Sequence, residues 1–215
     1  GGPTLEPGAP MLIFRNDEGA FVRVTDLPIE NGASNGGAVL WADFDNDGDP
    51  DLLVANSDVQ RRSDMAPATY ESPQLYRNDG AWRFSRMEGQ SFDAIAFASS
   101  VAAAGDIDND GDLDLYFANF AGASYIFLND GAGRFARDPR FAAPSHEGWG
   151  TGAAFVDFDL DGDLDLVGSG YEWGILLWRN DGAGAFVLDE TPALRERVAT
   201  YSGAASGDID GDGDL

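Results

Sequence analysis

The feature that most constrains the fold is a sequence unit repeated at nearly constant spacing along the 215-residue chain. Acidic stretches begin, at intervals of 63, 51 and 51 residues, at Asp43, Asp106, Asp157 and Asp208. Asn-Asp-Gly-type turns begin, at intervals of 62, 51 and 51 residues, at Asn16, Asn78, Asn129 and Asn180. An insertion around residues 61–67 accounts for the longer first interval. Two markers in one register predict a repeat architecture, in which neighbouring units bury a common core.

Each unit has the texture of β-structure. The third unit contains four short apolar runs, at residues 152–156, 164–167, 174–178 and 185–188. The turn Asn180-Asp181-Gly182 separates the last two runs, and Asn and Gly tolerate the positive φ of a tight turn. No stretch combines the apolar spacing and the caps of an α-helix. Four short strands per unit predict an all-β protein built of β-propeller blades, each with four antiparallel strands.

The first run of each unit supports this prediction, because it consists of small residues at 102–105, 152–154 and 203–205. Innermost strands crowd around a propeller axis, where small side chains fit. We predict one propeller domain over residues 1–215, with complete blades at about 36–88, 96–141 and 149–190 and half blades at 11–24 and 201–215. Since a closed propeller has at least about four blades, we expect a partial propeller, the arc of a larger ring. A self-closed ring of four blades is the less favoured alternative.

The acidic stretches follow the pattern Asp-x-Asp-x-Asp-Gly-x-x-Asp, complete at residues 43–51, 106–114 and 157–165 and truncated after Asp208. Calcium is a hard cation that takes roughly six to eight oxygen ligands in a flexible geometry. Carboxylates at positions 1, 3 and 5 of a curling loop converge, and Gly at position 6 permits a reversal at positive φ. Position 7 then offers its carbonyl, and the Asp at position 9 closes the site in bidentate fashion. We therefore predict Ca²⁺ as the cofactor, with three complete sites and a fourth, truncated one.

The candidate calcium-site residues are the aspartates of these loops. They are Asp43, Asp45, Asp47, Asp49, Asp51, Asp106, Asp108, Asp110, Asp112, Asp114, Asp157, Asp159, Asp161, Asp163, Asp165, Asp208, Asp210 and Asp212. The position-7 members Asp49, Asp112 and Asp163 are expected to point to solvent and to attract the ion from a distance without ligating it. Without a cation the clustered carboxylates would repel one another, and their repetition in register favours metal sites over solvated acidic turns.

Other metal-binding folds fit less well. An EF-hand loop requires Glu at position 12 and flanking helices, whereas position 12 here is Val54, Phe117 or Gly168 and the flanks predict strands. The chain has no Cys, which excludes disulfides, thiolate sites and thrombospondin-type acidic repeats. A single His excludes an imidazole-rich zinc site.

The segments 99–111 and 201–208 resemble the FG-GAP repeats of integrin α-subunit propellers. The pairing of residues 43–49 with the turn at 76–80 resembles the FG-GAP/VCBS-type repeats of bacterial proteins and of the cartilage acidic protein family. The resemblance covers nearly the whole chain. It implies a calcium-stabilised propeller, typically seven-bladed, in exported or cell-surface proteins. The chain is too short for seven blades, starts with Gly-Gly and stops inside a motif, so we expect it to be part of a longer protein.

Strand alternation places the acidic loops and the Asn-Asp-Gly turns on one face of the propeller. The opposite face carries the insertion with Arg61, Arg62 and Tyr70 and is the candidate ligand face. Its candidate contact residues are Tyr171, Trp173, Phe120, His146 and Trp149. Exposed aromatic side chains favour a protein or glycan partner. The alternative is that these rings cover blade edges.

An enzyme is the alternative to a binding module, because calcium-bearing propellers also occur in polysaccharide lyases. His146 and Glu147 form the candidate acid/base pair, but adjacent strand residues point apart. The chain has no nucleophile elbow, Walker motif or dinucleotide fingerprint. We therefore expect a non-enzymatic calcium-binding module for adhesion or for protein or glycan binding.

The charge balance limits the partners further. The chain has 38 acidic and 13 basic residues, a formal charge of −25, which argues against nucleic acid and anionic membranes. Its 12% aromatic content argues against disorder, and no apolar run reaches the roughly 18 residues of a membrane helix. Because exposed aspartate sites suit millimolar calcium, we expect an extracellular, periplasmic or cell-surface location.

Overall fold

The computed structural model describes residues 11–25, 27–31, 36–56, 72–95, 99–119, 123–141, 150–170 and 174–191. Within these ranges the chain forms fourteen strands. They are β1 Ile13–Asp17, β2 Ala20–Val24, β3 Gly36–Ala42, β4 Asp51–Asn56, β5 Gln74–Asn78, β6 Phe84–Arg86, β7 Ser99–Gly105, β8 Asp114–Asn119, β9 Tyr125–Asn129, β10 Phe135–Arg137, β11 Gly150–Val156, β12 Asp165–Gly170, β13 Gly174–Arg179 and β14 Val187–Leu188. Two short 3₁₀ helices cover Pro28–Asn31 and Ser91–Ala94. None of the helices in the described ranges has the length and apolarity needed to span a membrane.

The strands form three four-stranded antiparallel sheets and one two-stranded sheet. Consecutive strands pair in order, β3 to β6, β7 to β10 and β11 to β14, with β1–β2 forming a separate hairpin. This arrangement confirms the prediction of an all-β protein composed of partial-propeller blades. The three larger sheets run from residue 36 to 86, 99 to 137 and 150 to 188. The predicted half blade at 201–215 lies outside the described residues.

The first strands β3, β7 and β11 lie beside one another, and their small residues permit this close approach. A Cβ built on Gly105 would lie 3.0 Å from Phe155 Cδ2, and one on Gly150 would lie 2.9 Å from Ala118 Cβ. Contacts this short leave no room for a larger side chain. The run of small residues thus determines how closely successive sheets pack near their inner edges.

The second strand of each sheet is buried on both faces. All six residues of β8 are buried; Leu115 and Phe117 pack with the preceding sheet, while Tyr116 and Ala118 pack with the following one. Simple apolar–polar alternation would predict one solvated face. Stacking of sheets in a propeller removes that face, because each sheet is covered on both sides.

Apolar residues in the crossovers between units fill the cores between sheets. Ile29, Phe92 and Phe141 follow the last strand of successive units and are 3%, 0% and 6% exposed. The ring centroid of Phe92 lies 5.5 Å from that of Phe127 and 5.9 Å from that of Phe117, and both pairs have edge-to-face geometry. The sequence pattern did not reveal this role, because an isolated apolar residue in a crossover has no periodic neighbours.

Replacing Phe92 by Ala is expected to lower the free energy of unfolding by about 3–5 kcal/mol, the usual cost of deleting a buried aromatic ring. The measurement is urea unfolding followed by far-UV circular dichroism. Phe21→Ala is the matched control because Phe21 is 75% exposed, and it should change stability by less than about 0.5 kcal/mol. Equal effects of the two substitutions would contradict the assigned position of Phe92.

Candidate metal centres

Each complete acidic loop joins the first strand of a four-stranded sheet to the second. Residues 43–51, 106–114 and 157–165 connect β3 to β4, β7 to β8 and β11 to β12. Gly at position 6 has positive φ in all three loops, at 95° in Gly48, 95° in Gly111 and 98° in Gly162. The predicted left-handed Gly is therefore confirmed. Position 4 also has positive φ, at Asn46, Asn109 and Leu160, which the sequence analysis did not anticipate.

The position-1 carboxylate organises the turn of the loop. Asp43 accepts hydrogen bonds from the backbone N–H groups of Asp47 at 3.1 Å and Gly48 at 2.9 Å. Asp106 and Asp157 accept the equivalent bonds in the other two loops. Because these bonds curl the backbone around one carboxylate, each loop is shaped by its own first aspartate.

The position-9 carboxylate ties the loop to the turn between the third and fourth strands. Asp51 is fully buried and accepts the backbone N–H groups of Phe44 at 3.0 Å and Asn78 at 2.8 Å. Asp114 accepts those of Ile107 and Asn129, and Asp165 accepts those of Phe158 and Asn180. Each of the two oxygens of this aspartate thus accepts a backbone N–H. The sequence predicted this aspartate only as a bidentate calcium ligand and did not indicate these hydrogen bonds.

Carboxylate oxygens from different parts of each loop converge. One oxygen each from Asp43, Asp45 and Asp51 lies within 4.8 Å of the others, and Asp106, Asp108 and Asp114 form the equivalent group. Ligands at about 2.3–2.6 Å from a calcium ion can be separated by at most about twice that distance. The spacing and the all-oxygen donor set both fit Ca²⁺. In the third loop the group consists of Asp157, Asp159 and Asp161.

The position-3 carboxylates supply an independent test of the fit. Among the described residues, four side-chain atoms are buried without a hydrogen-bond partner. Asn119 Oδ1 and Ser169 Oγ lie outside the acidic loops, and the other two are the position-3 oxygens Asp45 Oδ1 and Asp108 Oδ1. Buried polar atoms nearly always have a partner, and a cation held with the neighbouring carboxylates would satisfy both atoms. The first and second loops therefore fit the predicted metal.

Burial and mutual repulsion raise the pKa of several of these carboxyls. Burial raises the pKa of Asp51 to about 6 and that of Asp114 to about 7. The backbone N–H groups that donate to these carboxylates lower the pKa, but by less than burial raises it. Burial, followed by the charges of neighbouring aspartates, also raises the pKa of Asp45 and Asp108. Without a bound cation the ionised loops thus carry an electrostatic cost.

Neighbouring loops are linked to one another through positions 4 and 7. Asn46 Nδ2 donates to Asp112 Oδ1 at 2.7 Å, and Asn109 Nδ2 donates to Asp163 Oδ1 at 2.7 Å. The prediction that position-7 aspartates point to solvent is wrong for Asp112 and Asp163, which are half-buried. Each also lies against the turn glycine of its own unit, Gly131 or Gly182. Their predicted long-range attraction for the ion stays a prediction.

The first residue of the Asn-Asp-Gly turn connects two sheets. Asn129 Nδ2 donates to Phe44 O at 2.8 Å and to Leu113 O at 3.1 Å. Asn180 Nδ2 repeats this arrangement with Ile107 O at 2.7 Å and Leu164 O at 3.0 Å. The turn Asn was predicted only for its tolerance of positive φ. Its recurrence at one position of every unit is the signal that could have indicated a specific side-chain contact.

The third loop differs from the other two because a guanidinium enters it. Arg179 Nη1 lies 2.8 Å from Asp159 Oδ2 and 3.3 Å from Asp165 Oδ2. Asp159 and Asp165 hold positions 3 and 9 of the loop. In the first and second loops, the aspartates at these two positions belong to the group of converging carboxylates. The sequence pattern predicts three equivalent loops, and it does not indicate this arginine.

Several predicted site residues fall outside the part of the chain that the structure describes. They are Asp208, Asp210 and Asp212 of the truncated loop, and Phe120, His146, Trp149, Tyr171 and Trp173 of the candidate ligand face. Their roles stay predictions.

Comparison with known proteins relates the chain to named relatives. It is 31% identical over 168 residues to cartilage acidic protein 1 of Xenopus tropicalis, covering 74% of this chain and 24% of that protein. It is 28% identical over 176 residues to the Homo sapiens protein of the same name, covering 75% and 24%. It is 27% identical over 208 residues to integrin alpha-4 of Xenopus laevis, covering 92% and 19%. The chain thus spans about a quarter, or less, of these relatives' length.

A solved structure shares the fold. It concerns recognition of non-reducing terminal N-acetylglucosamine by an Agrocybe aegerita lectin, with a TM-score of 0.56, 18% identity, and coverage of 85% of this chain and 47% of that one. The model of the FG-GAP-like repeat matches residues 6–54, 61–117, 106–168 and 157–215. Since these four matches follow one another along nearly the whole chain, the protein belongs to the FG-GAP-like repeat family.

Proposed function

We propose that this chain is a calcium-stabilised portion of a β-propeller that serves as a binding or adhesion module in an exported or cell-surface protein. The observation that carries the proposal is the pair of buried, unpartnered oxygens of Asp45 and Asp108, each within a group of converging carboxylates. Membership of the FG-GAP-like repeat family and similarity to an integrin α-chain support a propeller adhesion module.

The residues that would hold calcium are Asp43, Asp45 and Asp51 in the first loop and Asp106, Asp108 and Asp114 in the second. When bound, the ion supplies positive charge that offsets repulsion among these carboxylates. Asp51 and Asp114 also hold the backbone of the turn that follows the third strand. Fixing these carboxylates therefore stabilises two connections of the same blade at once, and this role is structural rather than catalytic.

The proposed location follows from the chemistry of the loops and from the relatives. Partly exposed aspartate sites suit the millimolar calcium found outside cells. The relatives include an integrin α-chain and cartilage acidic protein 1. We therefore place the module outside the cytoplasm.

The proposed partner is a protein or a glycan bound by the face opposite the acidic loops. The acidic loops are linked to each other and to the Asn-Asp-Gly turns, so several of their polar side chains already make structural contacts. The lectin that shares the fold is described as recognising N-acetylglucosamine, which makes glycans a reasonable first class to test. A calcium-dependent polysaccharide-active enzyme is the second candidate, although none of the relatives reported above is named as an enzyme.

Removing calcium is expected to lower the melting temperature by more than about 10 °C, because an ion bound only by the folded state stabilises it by mass action. Differential scanning calorimetry in about 10 mM CaCl₂, well above the roughly 10⁻⁴–10⁻³ M dissociation constants of extracellular calcium sites, and in excess EDTA measures the shift. Asp108→Asn should reduce the calcium-dependent shift, whereas magnesium should not replace calcium because it requires a stricter octahedral geometry. A melting temperature that is the same with calcium and with EDTA would contradict the proposal.

Metal-free protein is expected to lose stability as the pH rises from about 5 to 7. The folded-state pKa values of Asp51, about 6, and Asp114, about 7, exceed that of an unfolded Asp, about 3.9. A carboxyl whose pKa is raised by folding stabilises the protein while protonated, and this contribution disappears as the pH passes the folded pKa. Thermal melts of resin-stripped protein between pH 5 and 8 should show the decrease.

Calcium provides the control for the pH experiment, because binding favours the ionised carboxylates and competes with protons. The decrease should therefore vanish or reverse in saturating calcium. A metal-free protein whose stability rises steadily with pH over the same interval would show that these carboxyls do not dominate its electrostatics.

The proposed ligand face can be tested with a glycan array and a panel of extracellular matrix proteins in calcium-containing buffer. The double substitution Tyr171→Ala and Trp173→Ala is expected to abolish any binding signal. Trp82→Ala is the matched control, because Trp82 is 39% exposed and follows the turn that begins at Asn78 on the loop face. Retained binding in the double variant would exclude these aromatic residues, and turnover of a polysaccharide would favour the enzyme.

A further inference from the structure

We infer that Arg179 acts as an internal counterion of the third acidic loop and makes it the weakest calcium site of the three described loops. This inference rests on the proposed calcium function and concerns what distinguishes one loop from the next. Its guanidinium lies 2.8 Å from Asp159 and 3.3 Å from Asp165. The guanidinium therefore lies between the carboxylates at positions 3 and 9 of the third loop. In the other two loops, the carboxylates at these positions converge with that at position 1.

The position-3 carboxylates record the difference between the loops. In the first and second loops, Asp45 Oδ1 and Asp108 Oδ1 are buried and have no partner among the described residues. In the third loop, the equivalent Asp159 has a side chain that is 44% exposed and is paired with Arg179. The third carboxylate group also substitutes Asp161 for the position-9 aspartate. The guanidinium thus satisfies the group that a metal would satisfy in the other two loops.

The equivalent residue of the other units does not enter the loop. The position immediately before the turn Asn holds Arg77, Leu128 and Arg179 in successive units. Leu128 carries no charge. Arg77 does carry one, but its Nε donates to Asp79 Oδ1 at 2.7 Å. Its charge acts on Asp45 and Asp47, but among the described residues its ion pair is with Asp79. The three units therefore hold, at one position, an arginine paired within its own hairpin, an uncharged leucine and an arginine paired with the loop. The guanidinium that acts on the second loop, Arg140, comes from another position and is paired with Asp138.

A second difference between the units accounts for the orientation of Arg179. Its Nε lies 3.3 Å from Asp189 Oδ2, and the guanidinium stacks over Phe158, with the Cζ 4.8 Å from the ring centroid. The backbone N–H of Asp189 donates to the third strand of its sheet at Leu177 O, and the equivalent donors are Met87 in the first unit and Asp138 in the second. Asp138 is already paired with Arg140. Arg77 has no acidic partner at that place, whereas Arg179 is held between Asp189 and the loop.

An arginine at this point must weaken calcium binding. Guanidinium stays charged at all relevant pH values, so the ion would meet a fixed positive charge at two of its ligands. Calcium would have to displace Arg179 from Asp159 and Asp165 or bind with fewer carboxylates. The same charge stabilises the metal-free loop, which makes the third unit less dependent on calcium than the first two.

Isothermal titration calorimetry with calcium chloride tests the inference on the whole chain. The unmodified protein should show two tighter sites and a weaker component. Arg179→Leu, which introduces the residue of the second unit, should convert one weak site into a tight one, with an affinity gain of about tenfold or more. Leu128→Arg should have the opposite effect on the second loop. Arg15→Leu is the matched control, because Arg15 precedes the turn Asn of the N-terminal hairpin and pairs with Asp17, and it should leave all affinities within about twofold.

The outcomes separate this inference from the calcium proposal itself. No calcium binding by the unmodified protein would contradict the proposed function. Calcium binding that Arg179→Leu leaves unchanged would overturn the role of Arg179 and leave the proposed function intact. Should Arg179→Leu fail to fold, Asp189→Met removes the residue that holds Arg179 and should raise the affinity of the third loop in the same direction; an unchanged affinity in that variant would also overturn the inference.

Discussion

The buried aspartate at the end of each acidic loop is the interaction on which the blade depends. Asp51 and Asp114 are almost completely shielded from solvent, yet each receives two backbone N–H groups from different connections of its sheet. An ionised carboxylate in such a place would be costly without these donors. The donors alone do not restore an ordinary pKa, since burial still raises both values. A cation at the adjacent carboxylate group would reduce the remaining cost, so the proposed calcium site and the fold of the blade would depend on each other.

The contacts between units divide into an apolar interior and a polar edge. Inside, residues such as Phe92 and Phe141 fill the space between successive sheets. At the edge, Asn46 and Asn109 donate to the next loop, and Asn129 and Asn180 donate back to the preceding one. The interior supplies most of the stabilisation through burial. The directional hydrogen bonds at the edge fix the register of each loop relative to its neighbour, which non-directional packing does not.

The repeat spacing made the fold predictable, because it fixed the number of strands per unit and the position of every acidic loop. Gly48 and its equivalents were predictable for the same reason, since the reversal in the loop requires positive φ. Contacts between units were not predictable in this way. The partner of Asp112 is Asn46, 66 positions earlier in the chain, and no local pattern indicates a pair so distant. Arg179 was missed because an arginine before a turn ordinarily pairs within its own hairpin, as Arg77 does with Asp79.

The repeated units differ in how the charge of their acidic loops can be neutralised. A divalent ion and a tethered guanidinium would each reduce the repulsion among the loop carboxylates. The ion neutralises more charge but depends on its concentration in the surroundings. The arginine is always present, but it supplies one positive charge and must be held in place by Asp189. An array that combines both solutions would retain part of its structure when calcium is scarce, while the loops that depend on calcium would respond to it. On the proposed function, the position before the turn Asn is thus where a guanidinium, as in Arg179, would take over part of the role of a bound cation.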